Sequence, residues 1–387
     1  MRNLINIRIP EALHASLKQQ LWNIQIDEND SICALKPMLS GAAKYLHAED
    51  WNGDWLSPRG IDLQINGGLG LSFTDLTFEQ LPQLTKLLDL LWSDGVEAIA
   101  PTLVSCSVSS LRHSLMVFRK AREQCSLGRC KLLGAHIEGP FLSQAFKGAH
   151  DPKQLCLPSL DALNERILGF ENEISLVTLA PELQGSMEVI RKLKELGILI
   201  SLGHSAASTD ESLTSFQLGV SMLTHCFNAM PGLNHREPGP LGAALLQDGI
   251  GLGLIADGVH VHPKVVVILH KLASNRLFLV SDALAPYGLQ HNHVTWDKRD
   301  LFIENDSCRL KDGTLAGTTL CLLDGCKRLA KWTGDPSSAI WAATVSPRLL
   351  LQKGKKIQEF FIGRSLKELL RWQFNLESNL LNWKPAE

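Results

Sequence analysis

From about residue 60 the chain alternates short apolar runs with longer stretches whose apolar residues recur every three or four positions. Ile61–Asn66 is followed by Thr77–Leu91, where Leu81, Leu84, Leu87, Leu88 and Leu91 share one helical face. Val96–Leu103 leads to Ser109–Gln124, with Leu111, Leu115 and Phe118 on one side. Leu132–Glu138 precedes a long loop to about Pro158 and a helix over Ser159–Leu168. Ile174–Leu179 is followed by a helix from Ser186 that Gly197 ends as its C′ glycine. Ile198–His204 precedes a helix opened by Ser208-x-x-Glu211, a capping-box pattern also present at Thr77-x-x-Gln80. Val220–His225, Gly251–Asp257 (with Pro263 starting the helix behind it) and Arg276–Asp282 complete the series.

Eight strand–helix alternations predict an α/β fold, a parallel (β/α)8 TIM barrel, because parallel strands need crossover connections. An open doubly wound sheet is the competing arrangement. The flanks have another rhythm. Leu4–Ile9 and Leu21–Ile26 read as short strands, and Ser57-Pro58-Arg59-Gly60 separates them from the barrel. Beyond Asp282, Asp300–Leu310 and Gly313–Thr319 read as two strands around Lys311-Asp312-Gly313, followed by helices over Leu322–Trp332 and Ser337–Leu351. Leu369–Phe374 returns to the N-terminal sheet. The expected organisation is a barrel over 58–345 and a small accessory β-sandwich built from both termini, 1–57 and 346–387.

Charge changes the picture by exclusion. Lys and Arg number 38 against 40 Asp and Glu, a net charge of −2, so there is no basic stripe for nucleic acid or an anionic membrane. No apolar run approaches the roughly 18 residues that a spanning helix requires. The N-terminus lacks a signal-peptide core. The nine cysteines are scattered, odd in number and without a Cys-x-x-Cys, which fits reduced thiols in the cytoplasm. Cys226 adjoins His225, but neighbours on a strand face opposite sides, so Cys226 is expected to pack rather than ligate.

Barrel enzymes keep their chemistry at the C-terminal ends of the strands. There the chain places Gln64 and Asn66 (first strand), Glu138 (third), His204 (fifth), His225 (sixth), Asp257 with His260 just beyond (seventh) and Asp282 (eighth). One carboxylate and two imidazoles suit a divalent metal with an open position for water. Zn²⁺ fits best, and Fe²⁺, Co²⁺ or Mn²⁺ accept the same donors. Asp282 is then placed to move a proton between water and a leaving amine. Singly, each of these is more often a hydrogen-bonded structural residue or cap; gathered at four strand ends, they point to a hydrolytic site.

These residues lie in a recognisable series of motifs. Gly60-Ile-Asp-Leu-Gln-Ile-Asn-Gly67, Gly134-Ala-His-Ile-Glu-Gly-Pro-Phe141, Lys147-Gly-Ala-His-Asp-Pro152, Leu202-Gly-His-Ser-Ala206, Thr224-His-Cys-Phe-Asn-Ala-Met-Pro231, Ala256-Asp-Gly-Val-His260, Val280-Ser-Asp-Ala283 and Leu315-Ala-Gly317 occur in order. Over roughly residues 58 to 347 the chain resembles the N-acetylglucosamine-6-phosphate deacetylase family of the amidohydrolase superfamily. Most amidohydrolases carry His-x-His on the first strand. Here Gln64-Ile-Asn66 stands instead, and because amides are poor ligands the resemblance implies one metal rather than two.

The resemblance implies Glu138, His204 and His225 as metal ligands, Asp282 as acid/base, and His150 as a second group polarising the carbonyl. It implies substrate contacts at Ala149, Asn228, Ala229, Arg236, His260, Leu315, Ala316 and Gly317. Arg236 offers a planar fork for a phosphate, and His260 a second donor. The implied reaction converts N-acetyl-D-glucosamine 6-phosphate to D-glucosamine 6-phosphate and acetate, in amino-sugar catabolism. A homodimer is implied too, with Arg236 serving a neighbouring chain.

The chain departs from the family at its ends. Gly363-Arg-Ser-Leu-Lys-Glu-Leu-Leu-Arg-Trp-Gln-Phe374 replaces the usual Gly- and Asp-rich close, and Ala285-Pro-Tyr-Gly288 is expected at the pocket rim, where it would tune sugar preference. Other readings are a deacetylase for another amino-sugar phosphate such as the galactosamine epimer, a different amidohydrolase reaction, or a catalytically idle sugar-phosphate sensor. The sensor has no need of a base such as Asp282.

Overall fold

The apolar runs become the strands of a parallel barrel: Gly60–Ile65, Val96–Val104, Ala135–Glu138, Ile174–Leu179, Leu199–Leu202, Met222–Leu223, Gly251–Leu254 and Leu277–Leu279. In this computed structural model all residues are described except 1, 13–18, 39–46, 125, 291–292 and 298. Every residue of Val96–Val104 is buried, as expected of a strand covered on both faces. Pairing follows chain order, with Glu138 beside both Val104 and Thr178, and Leu223 beside both Leu202 and Leu252. The ring closes where Ile65 meets Ala283, with the Asp282 N–H donating to Gln64 O at 2.9 Å and the Asn66 N–H to Ala283 O at 2.7 Å.

Helices occupy the connections, mostly where periodicity placed them. Leu81–Ser93 buries Leu84, Leu87, Leu88 and Leu91. Thr77 does make its capping box, but on the short 3-10 turn Phe78–Gln80 that precedes the helix. The Ser208–Glu211 box opens Thr209–Leu218 as expected. Gly197, at φ +71°, ends Ser186–Glu195 in a Schellman motif, with Ile198 N–H donating to Leu193 O at 3.0 Å. The helix Gly239–Leu245, behind the loop after His225, was not expected from the sequence.

The expected sixth strand, Val220–His225, is narrower. Its ladder holds through Thr224 N–H to Leu202 O at 2.9 Å, and the chain then turns at His225, whose φ is +26°. Asp300–Leu310 is a hairpin rather than one strand. Asn305 and Asp306, at φ +50° and +61°, form the tight turn between Arg299–Glu304 and Ser307–Leu310. Two successive left-handed residues match the twist that a two-residue hairpin needs. With His293–Trp296 and Leu315–Thr318 they make a four-stranded antiparallel sheet. Ser337–Leu351 divides into Pro336–Thr344 and Ser346–Leu351, where Pro347 cannot continue the hydrogen-bond ladder.

Residues 62–263 and 276–325 form one compact unit; 1–61, 264–275 and 326–387 form another. In the second, both termini share a seven-stranded sheet. Its order is Leu380–Pro385, Leu369–Asn375, Trp55–Pro58, Arg2–Arg8, Leu21–Ile26 and Ile32–Pro37, with Glu49–Asp50 beside Arg2–Arg8. Leu4, Ile7, Ile24, Phe361 and Leu369 are among its core. The return of Leu369–Phe374 to the N-terminal sheet is therefore as expected.

Candidate active site

Glu138 ends the third strand, His204 stands two residues beyond the fifth, and His225 two beyond the sixth. All three are buried. His204 Nε2 lies 3.3 Å from Glu138 Oε1, His225 Nε2 lies 3.2 Å from the same oxygen, and the two Nε2 atoms are 3.1 Å apart. An ion with bonds of about 2.0–2.1 Å in tetrahedral array holds its ligand atoms about 3.3 Å apart, so this triangle is the right size. The tautomer of His204 also fits: Nδ1 meets the Phe146 carbonyl at 2.9 Å, which leaves the Nε2 lone pair facing the centre of the triangle. Among the described residues this is a group that could hold a divalent metal.

A second carboxylate lies alongside. Asp282 Oδ1 accepts from Asn66 Nδ2 at 2.7 Å and from Gln64 Nε2 at 3.4 Å, and the same Gln64 nitrogen donates to Glu138 Oε1 at 3.0 Å. The two amides thus bind the two carboxylates as donors, separating groups that would otherwise repel. Burial first, and then the charge of Glu138, push Asp282 up to about 8. Burial alone would raise Glu138 too, but its hydrogen bonds with His204 and His225, followed by the charge of His204, outweigh it and hold that carboxyl well below its ordinary value.

His150, 6% exposed, brings its Nε2 to 3.8 Å from Glu138 Oε2. Its Nδ1 is 2.9 Å from Ser105 Oγ and 3.3 Å from Ser105 N. Burial, reinforced by neighbouring His204, lowers it to about 3, so it is a neutral imidazole at physiological pH. Beneath these groups Asp62 takes the Ser281 N–H at 3.2 Å, and burial raises it to about 7.

The remaining expected residues are placed unevenly. Ala149 is buried beside His150. Gly317, at φ +153°, lies so close to Asp282 O that a Cβ would come within 2.5 Å, which ties Leu315–Gly317 to the mouth. Asn228 spends its amide on the carbonyls of His225 and Cys226, both at 3.2 Å, and Ala229 O accepts from Ser205 N. His260 Nδ1 is 2.6 Å from Asp257 Oδ2. Arg236 is exposed on the loop before Gly239–Leu245, and its guanidinium pairs with nothing among the described residues. Cys226 is fully buried, its thiol pushed up to about 12 by burial, as a packing residue should be.

No family model matches the chain. The N-acetylglucosamine-6-phosphate deacetylase of Vibrio furnissii is 30% identical over 334 residues, covering 86% of this chain and 82% of its own. The chain belongs to the N-acetylglucosamine-6-phosphate deacetylase family. Another relative, the N-acetylgalactosamine-6-phosphate deacetylase of Escherichia coli O157:H7, is 32% identical over 299 residues, 76% of this chain and 78% of its own. The crystal structure of the N-acetylglucosamine-6-phosphate deacetylase from Thermotoga maritima superposes with a TM-score of 0.77 at 27% identity, covering 98% of this chain and 96% of that one.

Within this deacetylase fold, several supporting residues carry no signal in the sequence. Ser105, Asp62 and the Phe146 carbonyl touch His150, the Ser281–Asp282 turn and His204. Arg299 donates to Ala149 O at 2.7 Å. A lone serine at a strand end or an arginine in a hairpin carries no pattern. Ala285-Pro-Tyr-Gly288 offers less to a sugar than expected, since Ala285 and Tyr287 are 2% and 4% exposed and the Tyr287 hydroxyl is bonded to Asp94.

Proposed function

We propose that this chain removes the acetyl group from N-acetyl-D-glucosamine 6-phosphate, giving D-glucosamine 6-phosphate and acetate, in amino-sugar catabolism. The observation that carries this reading is the buried Glu138–His204–His225 triangle with Asp282 beside it, both carboxylates held by Gln64 and Asn66. Glu138, His204 and His225 would hold one divalent ion, Zn²⁺ before Fe²⁺, Co²⁺ or Mn²⁺. When bound, that ion supplies an activated water and a Lewis acid for the acetyl carbonyl.

The chain's own residues do the rest. Asp282 Oδ1 is occupied by two amide donors, so Oδ2 is the oxygen that, with the carboxyl ionised by the charge of a divalent cation beside it, would take the water's proton and deliver it to the departing nitrogen. His150 donates to the carbonyl oxygen as negative charge develops there. Arg236 and His260 receive the phosphate, with Ala149, Asn228, Ala229 and Leu315 to Gly317 around the sugar. We assign the enzyme to the cytoplasm as a homodimer, in which the exposed Arg236 reaches the neighbouring subunit's substrate. No helix among the described residues is long and apolar enough to cross a membrane.

The galactosamine-6-phosphate deacetylase among the relatives supports a second reading, the same chemistry on the epimeric sugar. Acetate release from a panel of N-acetylated sugar phosphates, run with each metal returned to stripped protein, tests both readings. Release from the glucosamine substrate above its epimer is expected. No bound metal and no release would leave a sugar-phosphate sensor instead.

A further inference from the structure

We propose that Ser105 is a positioning residue that fixes His150 with its proton on Nε2, so that His150 acts in this reaction as a hydrogen-bond donor and not as a base. The inference rests on the reading of His150 as the group facing the acetyl carbonyl. It adds to that reading what sets the direction of the histidine's proton.

Ser105 follows the second barrel strand and is 7% exposed. Its backbone N–H points at His150 Nδ1 at 3.3 Å, and its hydroxyl lies 2.9 Å from the same atom. A backbone N–H can only donate, so Nδ1 must present its lone pair. A neutral imidazole carries one N–H, which therefore sits on Nε2. That nitrogen is the one turned to the metal triangle, 3.8 Å from Glu138 Oε2, with the ring edge-on to His204 at a centroid distance of 4.6 Å.

The serine hydroxyl has little choice of partner. Its alternative acceptor, Glu138 O, is 3.5 Å away, against 2.9 Å for His150 Nδ1. The space it occupies exists because residue 139 is glycine: at φ +93°, a Cβ there would stand 2.1 Å from Ser105 Oγ. On the other side the peptide before His150 is pinned. Arg299 Nη1 donates to Ala149 O at 2.7 Å, while Nη2 pairs with Asp297 at 2.8 Å and the guanidinium lies over the Trp296 ring. With backbone and ring both held, the donor direction of Nε2 is set before substrate arrives. A proton for the leaving amine must then come from Asp282.

Ser105→Ala removes the shorter of the two bonds and keeps the backbone N–H. It should lower kcat about tenfold, the value of one hydrogen bond to a charge-bearing step, and leave KM and metal content unchanged. Ser105→Thr, which keeps the hydroxyl, should restore kcat. Nitrogen-15 spectra of histidine-labelled zinc enzyme, with His150→Gln to assign the signal, should show Nε2 protonated and Nδ1 bare. A protonated Nδ1, or a Ser105→Ala enzyme with unchanged kcat, overturns the proposal. Wild-type protein that releases no acetate overturns the functional reading instead, and the nitrogen spectrum still decides the tautomer.

Discussion

Replacing Asp282 by asparagine tests the proton-transfer role with least disturbance, because the substituted amide retains an oxygen where Oδ1 now accepts from Asn66 at 2.7 Å. The metal triangle does not include Asp282, so metal content should not change. Turnover should fall by about 10²–10⁴-fold, the usual contribution of a positioned acid/base. A second readout comes from the metal-free protein. Asp282 is raised from 3.8 to about 8, so between those values the folded chain keeps a proton that the unfolded chain has lost, and its stability falls as pH rises. Asp62, raised to about 7, acts in the same direction. His136 and His150, lowered by burial from 6.5 to about 4 and about 3, act in the opposite direction, mostly below pH 6.5, where the unfolded imidazoles are half deprotonated, and their effect fades over the next pH unit. Above pH 6.5 the carboxylate slopes outweigh the residual histidine ones. From pH 6.5 to 8 Asp282 should account for on the order of 2 kcal/mol of lost stability. Urea unfolding of chelator-stripped protein at the two pH values should show this loss in wild type and a smaller one in Asp282→Asn. Near wild-type turnover in the metal-loaded variant, or a stripped wild type that grows more stable from pH 6.5 to 8, would refute the reasoning.

His225→Ala leaves two ligands, and metal affinity measured by chelator competition should fall by more than the roughly 100-fold typical of outer-shell losses, with turnover lost alongside. Retained metal would remove His225 from the triangle. Arg236→Ala should keep the metal and cut kcat/KM for the phosphorylated sugar about 10–100-fold, the value of charge-assisted hydrogen bonds; an unchanged preference for phosphorylated over plain N-acetylglucosamine would show that the loop does not bind phosphate. Ala229→Gly relieves a left-handed alanine at φ +48° and should raise unfolding free energy by about 0.5–1 kcal/mol. A loss of stability there would mean that the alanine methyl is needed for packing.

The barrel was legible because its signal is periodic. Runs such as Val96–Val104 are apolar throughout, and helices such as Leu81–Ser93 place leucines on one face. The strand ends were legible for the same reason, and with them Glu138, His204, His225 and Asp282. The hairpin within Asp300–Leu310 was missed because Asn305-Asp306 lacks the glycine that usually marks such a turn, though both residues tolerate the left-handed region. Ser105 and Arg299 were missed for another reason. Each acts on a residue far away in the chain, Ser105 on His150 and Arg299 on Ala149, and one sequence contains no record of that proximity.

The backbone at the site was equally hidden. His204, His225 and Asp282 have φ of +49°, +26° and +49°, conformations that cost a non-glycine residue roughly 1–2 kcal/mol each. Gly-His-Ser, Thr-His-Cys and Ser-Asp-Ala show no sign of it. All three stand two or three residues past the last residue of their strand, where the left-handed turn takes the chain out of the ladder. In each case the strained residue's carbonyl is captured: Ser143 N donates to His204 O at 2.8 Å, Asn228 N to His225 O at 3.0 Å, and Thr318 N to Asp282 O at 2.9 Å. The strain is therefore local to the chemistry and is offset by segments that themselves reach the site, the Ser143–His150 loop, the Asn228 turn and the strand ending in Thr318. Asn228 thereby has a second role beyond the substrate contact expected of it, since the turn it caps holds the conformation of His225.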